Sequence, residues 1–383
     1  MKILILCNDT RYLIDHRLNI VSALADQGHQ VTVVAGGDPE WSAQLPARVE
    51  FHHLPLLRHR FSLAQDLSLI RSYMRFVRRL DPDVVHSFTI KPNLYGAIAL
   101  KLLALSGRMA PRLVMTFPGL GKVFEPGQNA VAGLRRSMVG TGLKLATRGL
   151  DYHATFENHD DRDHLAGLGV FEADRCHTLL GAGVDLSRFV SRSALRTGPL
   201  TFLYASRLLK AKGVGAYMEA ARLRRHQGSK ADFLVAGPDD PGNPDNFGLE
   251  NIRAAEAEGV IRYIGNFPAH EMILALEQAD VVCLPTRLRE GLPRILIEAA
   301  ATGSAVIASD QPAIRSILPG AHCGWLVEDP SGAAIAQAMK HAEADPGRTR
   351  EIGLSNASLI RAMPIDDSSI TGGFITLYEG KTV

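Results

Sequence analysis

Lys2-Ile3-Leu4-Ile5-Leu6-Cys7 and Gln30-Val31-Thr32-Val33-Val34-Ala35 bracket a segment, 15–27, whose apolar residues Leu18, Val21, Leu24 and Ala25 have helical spacing. Gly28 is a natural stop for that helix. Further strands are expected at 84–88, 113–117 and 153–156, with helical stretches between them, so the series reads as parallel βαβ units. Residues 180–199, with Gly181, Gly183 and Pro199, break the rhythm and read as an interdomain linker. A second series then begins. Strands are expected at 201–205, 232–237, 260–265, 281–285 and 305–309, and helices at 214–227, 246–258, 269–278 and 293–301. The expected fold is therefore α/β, with two doubly wound parallel-sheet domains facing across a cleft and a ligand at the carboxyl ends of the strands. The boundaries are read as 1–185 and 195–364. The tail, 365–383, is expected to pack back on the first domain, with a last helix over 365–378 despite Gly372 and Gly373.

Bulk properties narrow the class. The chain has 383 residues, 46% hydrophobic and 21% charged, which fits two globular domains of ordinary size. No run of about 18 apolar residues is present, so a spanning helix is not expected. The apolar start is too short for a signal-peptide core and reads as a first strand. Cys7, Cys176, Cys283 and Cys323 lie far apart, which argues against structural zinc and disulfides and suits the cytosol. The net charge of +2 hides an asymmetry. Residues 1–150 hold 19 Lys/Arg and 10 Asp/Glu (+9), and residues 151–383 hold 23 and 30 (−7). A basic first part suits an anionic partner, although an uneven solvated surface reads the same way.

Five segments could carry chemistry. In Arg289-Glu290-Gly291-Leu292-Pro293-Arg294-Ile295-Leu296-Ile297-Glu298, the two end carboxylates flank a helix start that could attract a phosphate. Capping alone could explain Glu290. It suits Glu298 less well, because an acid in an apolar stretch needs a polar partner. In Ser206-Arg207-Leu208-Leu209-Lys210-Ala211-Lys212-Gly213, Arg207 and Lys212 could converge on a diphosphate, or form a solvated basic turn. His86 and Lys91, at the end of a strand, could act as base and anion holder, although a lone histidine there is more often structural. Gly119 and Gly121 lie in a loop shaped for close approach, or in a plain turn. Residues 11–17, ending at Arg17, form a polar loop with no Gly-x-Gly, which argues against NAD or FAD.

Together these segments resemble the retaining glycosyltransferases of family 4, which have the GT-B fold of two facing Rossmann-like domains. The most specific likeness is the pair Glu290 and Glu298 with seven residues between them. The resemblance implies that Arg207 and Lys212, with Ser206, grip the donor diphosphate. It also implies that Glu290 contacts the donor sugar and Glu298 the nucleotide ribose. Amides near Gly291 and Leu292 would face the diphosphate or sugar, and Gly265 and Asn266 would hold the base. Acceptor contacts are carried to Arg17, Lys91, Gly119 and Gly121, and a catalytic role to His86. A narrower likeness, through His86-Ser87-Phe88-Thr89-Ile90-Lys91-Pro92-Asn93, Phe156-Glu157-Asn158-His159-Asp160-Asp161 and Asn243-Pro244, is to bacterial surface-polysaccharide and glycan enzymes. That subgroup includes N-acetylgalactosaminyltransferases acting on undecaprenyl-diphosphate-linked sugars. Two positions depart from the pattern. Asn8-Asp9-Thr10-Arg11 replaces a Gly-Gly loop, and Phe88 stands where some relatives have a second histidine.

The implied reaction is retaining transfer of a hexose or N-acetylhexosamine from a UDP-sugar to a lipid-linked saccharide. It needs no cofactor and no metal, since two cations replace one at the diphosphate and no Asp-x-Asp motif lies in the cleft segments. Residues 51–63 and 134–148 mix apolar and basic residues and could lie on an anionic membrane surface, at the inner face of the cytoplasmic membrane. A sheet-packed helix with a basic outer face is the alternative for 134–148. Other readings are transfer to a soluble acceptor, a sugar-nucleotide epimerase of the same fold, or a non-catalytic nucleotide-sugar binder. Nucleic acid is disfavoured because the aromatic content is only 6%.

Overall fold

The computed structural model describes residues 1–55, 63–124, 130–191, 197–268, 270–320 and 322–383. The chain forms two compact units, Met1–Gly183 with Asp367–Val383, and Val184–Asp366.

Unit 1 carries strands β1 (Lys2–Cys7), β2 (Gln30–Ala35), β3 (Glu50–His53), β4 (Val84–Phe88), β5 (Arg112–Phe117), β6 (Tyr152–Phe156) and β7 (Cys176–Thr178). Its helices are α1 (Thr10–Asp26), α2 (Leu63–Leu80), α3 (Ile90–Leu105), α4 (Gly121–Phe124), α5 (Ala130–Thr147) and α6 (His159–Gly167). The seven strands pair in the order β3-β2-β1-β4-β5-β6-β7, all parallel. The order reverses between β1 and β4, the place where a doubly wound sheet opens a crevice at its carboxyl edge.

Unit 2 carries β8 (Thr201–Ala205), β9 (Asp232–Ala236), β10 (Arg262–Gly265), β11 (Val281–Leu284), β12 (Ala305–Ser309) and β13 (Gly324–Val327). Its helices are α7 (Val214–His226), α8 (Leu249–Ala257), α9 (Met272–Leu276), α10 (Arg294–Ala301), α11 (Pro312–Arg315), α12 (Gly332–Ala344) and α13 (Pro346–Arg361). The order β10-β9-β8-β11-β12-β13 is again all parallel, and it switches between β8 and β11. The expected pair of doubly wound parallel-sheet domains is thus present. Strands buried on both faces explain why β1, β5, β8 and β12 read as near-continuous apolar runs.

The last helix, α14 (Asp367–Tyr378), returns to unit 1. Its Ile370, Phe374, Leu377 and Tyr378 share one buried cluster with Ile3, Ile5, Val33 and Val114. Gly373 packs closely there: a Cβ would sit 2.5 Å from a Leu179 methyl. At the start of unit 2, Val184 pairs with Asp366, and Arg361 donates to the carbonyls of Leu186 and Phe189. Those bonds tie the segment just after Gly183 to unit 2.

Helix α1 corrects the reading of 11–17 as a loop. Asp9 caps it, accepting from the amides of Arg11 (2.8 Å) and Tyr12 (3.4 Å), so the helix starts at Thr10. Strands β3, β7 and β13 were not expected. They are only three or four residues long, too short for periodicity to mark them. All four cysteines are free and buried. Among the described residues no helix is long and apolar enough to cross a membrane.

Among the described residues of unit 1, three histidines are buried. His86 shares hydrogen bonds with Tyr378 Oη (2.6 Å) and Thr116 Oγ1 (2.7 Å), while His153 and His177 pair at 2.9 Å. Burial holds all three neutral. It takes His86 well below its ordinary value, with help from the Arg17 charge, and His153 down to about 4, with help from His177. His177 is also lowered by burial. The unfolded chain protonates histidine below about pH 6.5 and the fold does not, so this stability is complete above that pH and is lost as pH falls. The urea midpoint at about pH 5 is expected below that at about pH 7.5, with a shallower dependence in His177→Gln. Equal slopes in the two proteins would contradict this account.

Candidate active site

The carboxyl rim of the unit 2 sheet gathers most of the donor-side residues singled out by sequence. Ser206 and Arg207 leave β8 at the switch point. The Ser206 amide donates to Ala236 O (3.3 Å), and its carbonyl lies so near Gly237 that a Cβ there would be 1.9 Å away. Gly237 in turn donates to Gly265 O (3.0 Å) at the end of β10. Ser206, Gly237 and Gly265 therefore form a continuous backbone ledge across β8, β9 and β10. Asn266 follows on that ledge and is exposed. The Arg207 side chain is half exposed and lies 3.7 Å from Asp240 in the loop after β9.

Lys212 ends the short turn Lys210–Lys212, and Gly213 passes the chain into α7 with φ +82°. A Cβ on Gly213 would sit 2.0 Å from Pro285 O, so glycine lets this turn press against the end of β11. The amide of Arg287 donates to Ala211 O (2.7 Å), locking the two rims together. Asp245 fixes the turn from the other side, accepting from the Ala211 amide through its carboxylate (2.9 Å) and from the Lys210 amide through its carbonyl (2.9 Å).

These constraints bring Lys212 Nζ onto both carboxylate oxygens of Glu290, at 2.7 and 2.8 Å. The pair is largely buried, with side-chain exposures of 15% and 13%. Thr286 Oγ1 donates to Glu290 Oε1 (2.7 Å). Gln311 accepts from the Glu290 amide (3.2 Å) and donates to Leu288 O (2.8 Å) and Thr286 O (3.3 Å). The loop that carries Glu290 is thereby held from three sides. Gly291 and Leu292 are buried between Glu290 and Pro293, which stands at the N-cap of α10.

Glu298 lies inside α10 and is 4% exposed. Arg294 Nε donates to its Oε1 at 2.6 Å. Burial pushes this carboxyl above the usual carboxylate range, while the positive charges of Arg294 and Arg188 pull it back.

Unit 1 treats its candidates differently. His86 is fully buried, with both ring nitrogens engaged, so it braces α14 against the sheet and is not available as a base. Arg17 was expected to contact an acceptor, but the structure places it inside the unit, 1% exposed. It is ion-paired to Glu157, bonded to Tyr12 Oη (3.1 Å) and stacked over Phe88. Its position on α1 points it inward, which the reading of 11–17 as a loop concealed. Lys91 is mostly buried, 3.8 Å from Asp66. Gly119 is half-buried and Gly121 is exposed with φ +53° at the start of α4.

Asp245, Thr286, Gln311 and Arg294 were missed from sequence. The first three act from loops whose partners are distant in the chain. Arg294 was legible, since an arginine four residues before a glutamate on a helix is a pairing signal.

Residues 188–357 match the family model described as glycosyl transferases group 1, and residues 15–180 match that described as glycosyl transferase 4-like domain. The two matches span most of both units, and the chain belongs to the GT-B glycosyltransferases. It is 23% identical to the N,N'-diacetylbacillosaminyl-diphospho-undecaprenol alpha-1,3-N-acetylgalactosaminyltransferase of Campylobacter jejuni, over 95% of this chain and 94% of that protein. Its fold is similar to sucrose-phosphate synthase from Thermosynechococcus elongatus (TM-score 0.78, 16% identity, 99% of each chain). It is also similar to HepE of Anabaena solved with UDP (TM-score 0.75, 17% identity, 99% of this chain and 100% of that one).

Gly213→Ala is expected to destabilise unit 2 by about 2–3 kcal/mol, from backbone strain and the clash with Pro285. An unchanged urea midpoint would show that the turn does not depend on glycine.

Proposed function

We propose that the chain is a retaining glycosyltransferase that moves an N-acetylhexosamine or hexose from a UDP-sugar to an undecaprenyl-diphosphate-linked saccharide in surface glycan biosynthesis. The observation that carries this reading is the Lys212–Glu290 contact at the switch point of unit 2. A cation and a carboxylate held together at a strand-end rim can divide between a diphosphate and a sugar hydroxyl when a donor arrives. The relative from Campylobacter jejuni, whose name specifies an undecaprenol-diphosphate acceptor, supports the acceptor class, and HepE solved with UDP supports the nucleotide.

In this mechanism the bond from the anomeric carbon to the UDP oxygen breaks. A bond to the acceptor oxygen forms on the same face, and the acceptor proton passes to the leaving phosphate oxygen. Arg207 and Lys212 stabilise the charge that develops on the diphosphate, which is why we propose no metal ion. Glu290 orients the donor sugar and Glu298 the ribose. Ser206, Gly265, Asn266 and the chain at Gly291–Leu292 complete the donor contacts, and Lys91, Gly119 and Gly121 remain the acceptor candidates. No protein base is required, in keeping with a buried His86.

We also propose that unit 1 rests on the membrane that holds such an acceptor. On α5, Leu134, Met138 and Leu145 are exposed by 63%, 66% and 59%, interleaved with exposed Arg135 and Lys144 and followed by exposed Arg148. Apolar and basic side chains alternating on one helix suit an anionic lipid surface. Most of the other segment read this way, 51–63, lies outside the described residues.

UDP release from UDP-N-acetylhexosamines and UDP-hexoses, with the lipid-linked saccharide present, tests the proposal. Turnover that survives EDTA and gives a retained anomer is expected, and Arg207→Ala should reduce it by roughly 10²–10³-fold. No release from any UDP-sugar would refute the donor, an inverted product would refute retention, and loss in EDTA would refute metal independence. Flotation with anionic liposomes is expected to carry the protein up at low salt. Protein that stays at the bottom would remove the membrane claim.

A further inference from the structure

Glu298 is given the ribose above, but its partner in a strong contact has no part in that chemistry. Arg294 and Glu298 pair at 2.6 Å, one turn apart on α10, with side-chain exposures of 26% and 5%. Around Glu298 the helix is apolar, with Leu296, Ile297, Ala299 and Ala300 all buried. A carboxylate in such surroundings either finds a cation or takes up a proton. The other charged groups near α10 have partners of their own. Arg188, from the start of unit 2, donates to His270 O. On α13, Arg361 donates to Ala301 O and Arg350 is held by Asp280. Strand β11 contributes only the buried thiol of Cys283, and α9 and β12 contribute no ionisable side chain. Arg294 is therefore the cation that engages this carboxylate directly.

We propose that Arg294 is the positioning residue for Glu298: its guanidinium fixes the buried carboxylate through Oε1 and keeps it a proton acceptor for the vicinal hydroxyls of a nucleoside diphosphate's ribose. The inference rests on the reading of unit 2 as a nucleotide-sugar site, and it goes beyond that reading by assigning a role to a residue that need not touch the ligand. Its consequence is a pH signature. Removing the guanidinium removes the largest influence that lowers this carboxyl, leaving burial to raise it. Glu298 then protonates at a higher pH and can no longer accept from both hydroxyls. Arg294 is one-quarter exposed at the first turn of the helix, so a methionine there can keep the apolar stem packed.

The test is calorimetric affinity of the full chain for UDP and for 2',3'-dideoxy-UDP between about pH 5.5 and 8. The wild type is expected to prefer UDP across the whole range. Arg294→Met should keep that preference at the alkaline end and lose roughly tenfold in UDP affinity on acidification, the size of one charged hydrogen bond. Its affinity for the dideoxy nucleotide should stay flat. Arg294→Lys should restore the wild-type profile, and Glu298→Gln should bind UDP weakly at every pH. An Arg294→Met protein that matches the wild type at all pH values overturns the proposal. So does one that weakens both nucleotides equally at all pH values, because the arginine would then act only as a general positive charge. A wild type that binds neither nucleotide overturns the reading of unit 2 itself, and this inference with it.

Discussion

Strands β8 and β11 send their chains to opposite faces of the sheet, and the gap this leaves at the rim is spanned by one ion pair, Lys212 with Glu290. Two largely buried charges seventy-eight residues apart in sequence do not meet without help. Gly213 lets the lysine turn press on Pro285, Asp245 pins that turn from behind, and Thr286 with Gln311 holds the opposite loop. Breaking a buried pair by removing one partner leaves an uncompensated charge, which costs more than the intact pair contributes. Apolar residues of the same volume would hold the rim together as well or better.

Both units enclose charged pairs. In unit 2 these include Arg350 with Asp280 and Arg224 with Glu343. Unit 1 encloses some of its own: Arg17 with Glu157 and Tyr12, and His86 with Tyr378 and Thr116, lie between α1, α14 and the sheet. These buried contacts give α14 a polar lock in addition to its apolar face, since Tyr378 is both a core side chain and a partner of His86. His86 and Arg17 are thus enclosed in unit 1, while Lys212 and Glu290 of unit 2 meet at its rim.

Most of the fold was legible in the sequence. Apolar runs at β1, β2, β8, β11 and β12 and the helical spacing between them are strong local signals, and parallel pairing follows from their alternation. Failures came where a local signal was weak or a partner was remote. Residues 11–17 read as a loop because the cap that starts α1, Asp9, lies before them. Arg17 and His86 looked available because sequence position does not reveal which face a side chain takes. On the donor side, Glu290, Lys212 and Glu298 were legible as a spacing of charges around a strand and a helix start. Thr286, Gln311 and Asp245, which fix that spacing in space, were not, because each acts through a hydrogen bond that only the folded chain creates.

The central claim is that the Lys212–Glu290 rim of unit 2 receives a nucleoside diphosphate. A crystal structure of the chain soaked with UDP tests it most directly. The account predicts the diphosphate at the mouth of α10, within hydrogen-bond distance of Lys212 Nζ and the Arg207 guanidinium, with the ribose hydroxyls on Glu298. UDP bound elsewhere on the chain, with the Lys212–Glu290 pair untouched and Glu298 unliganded, would contradict it.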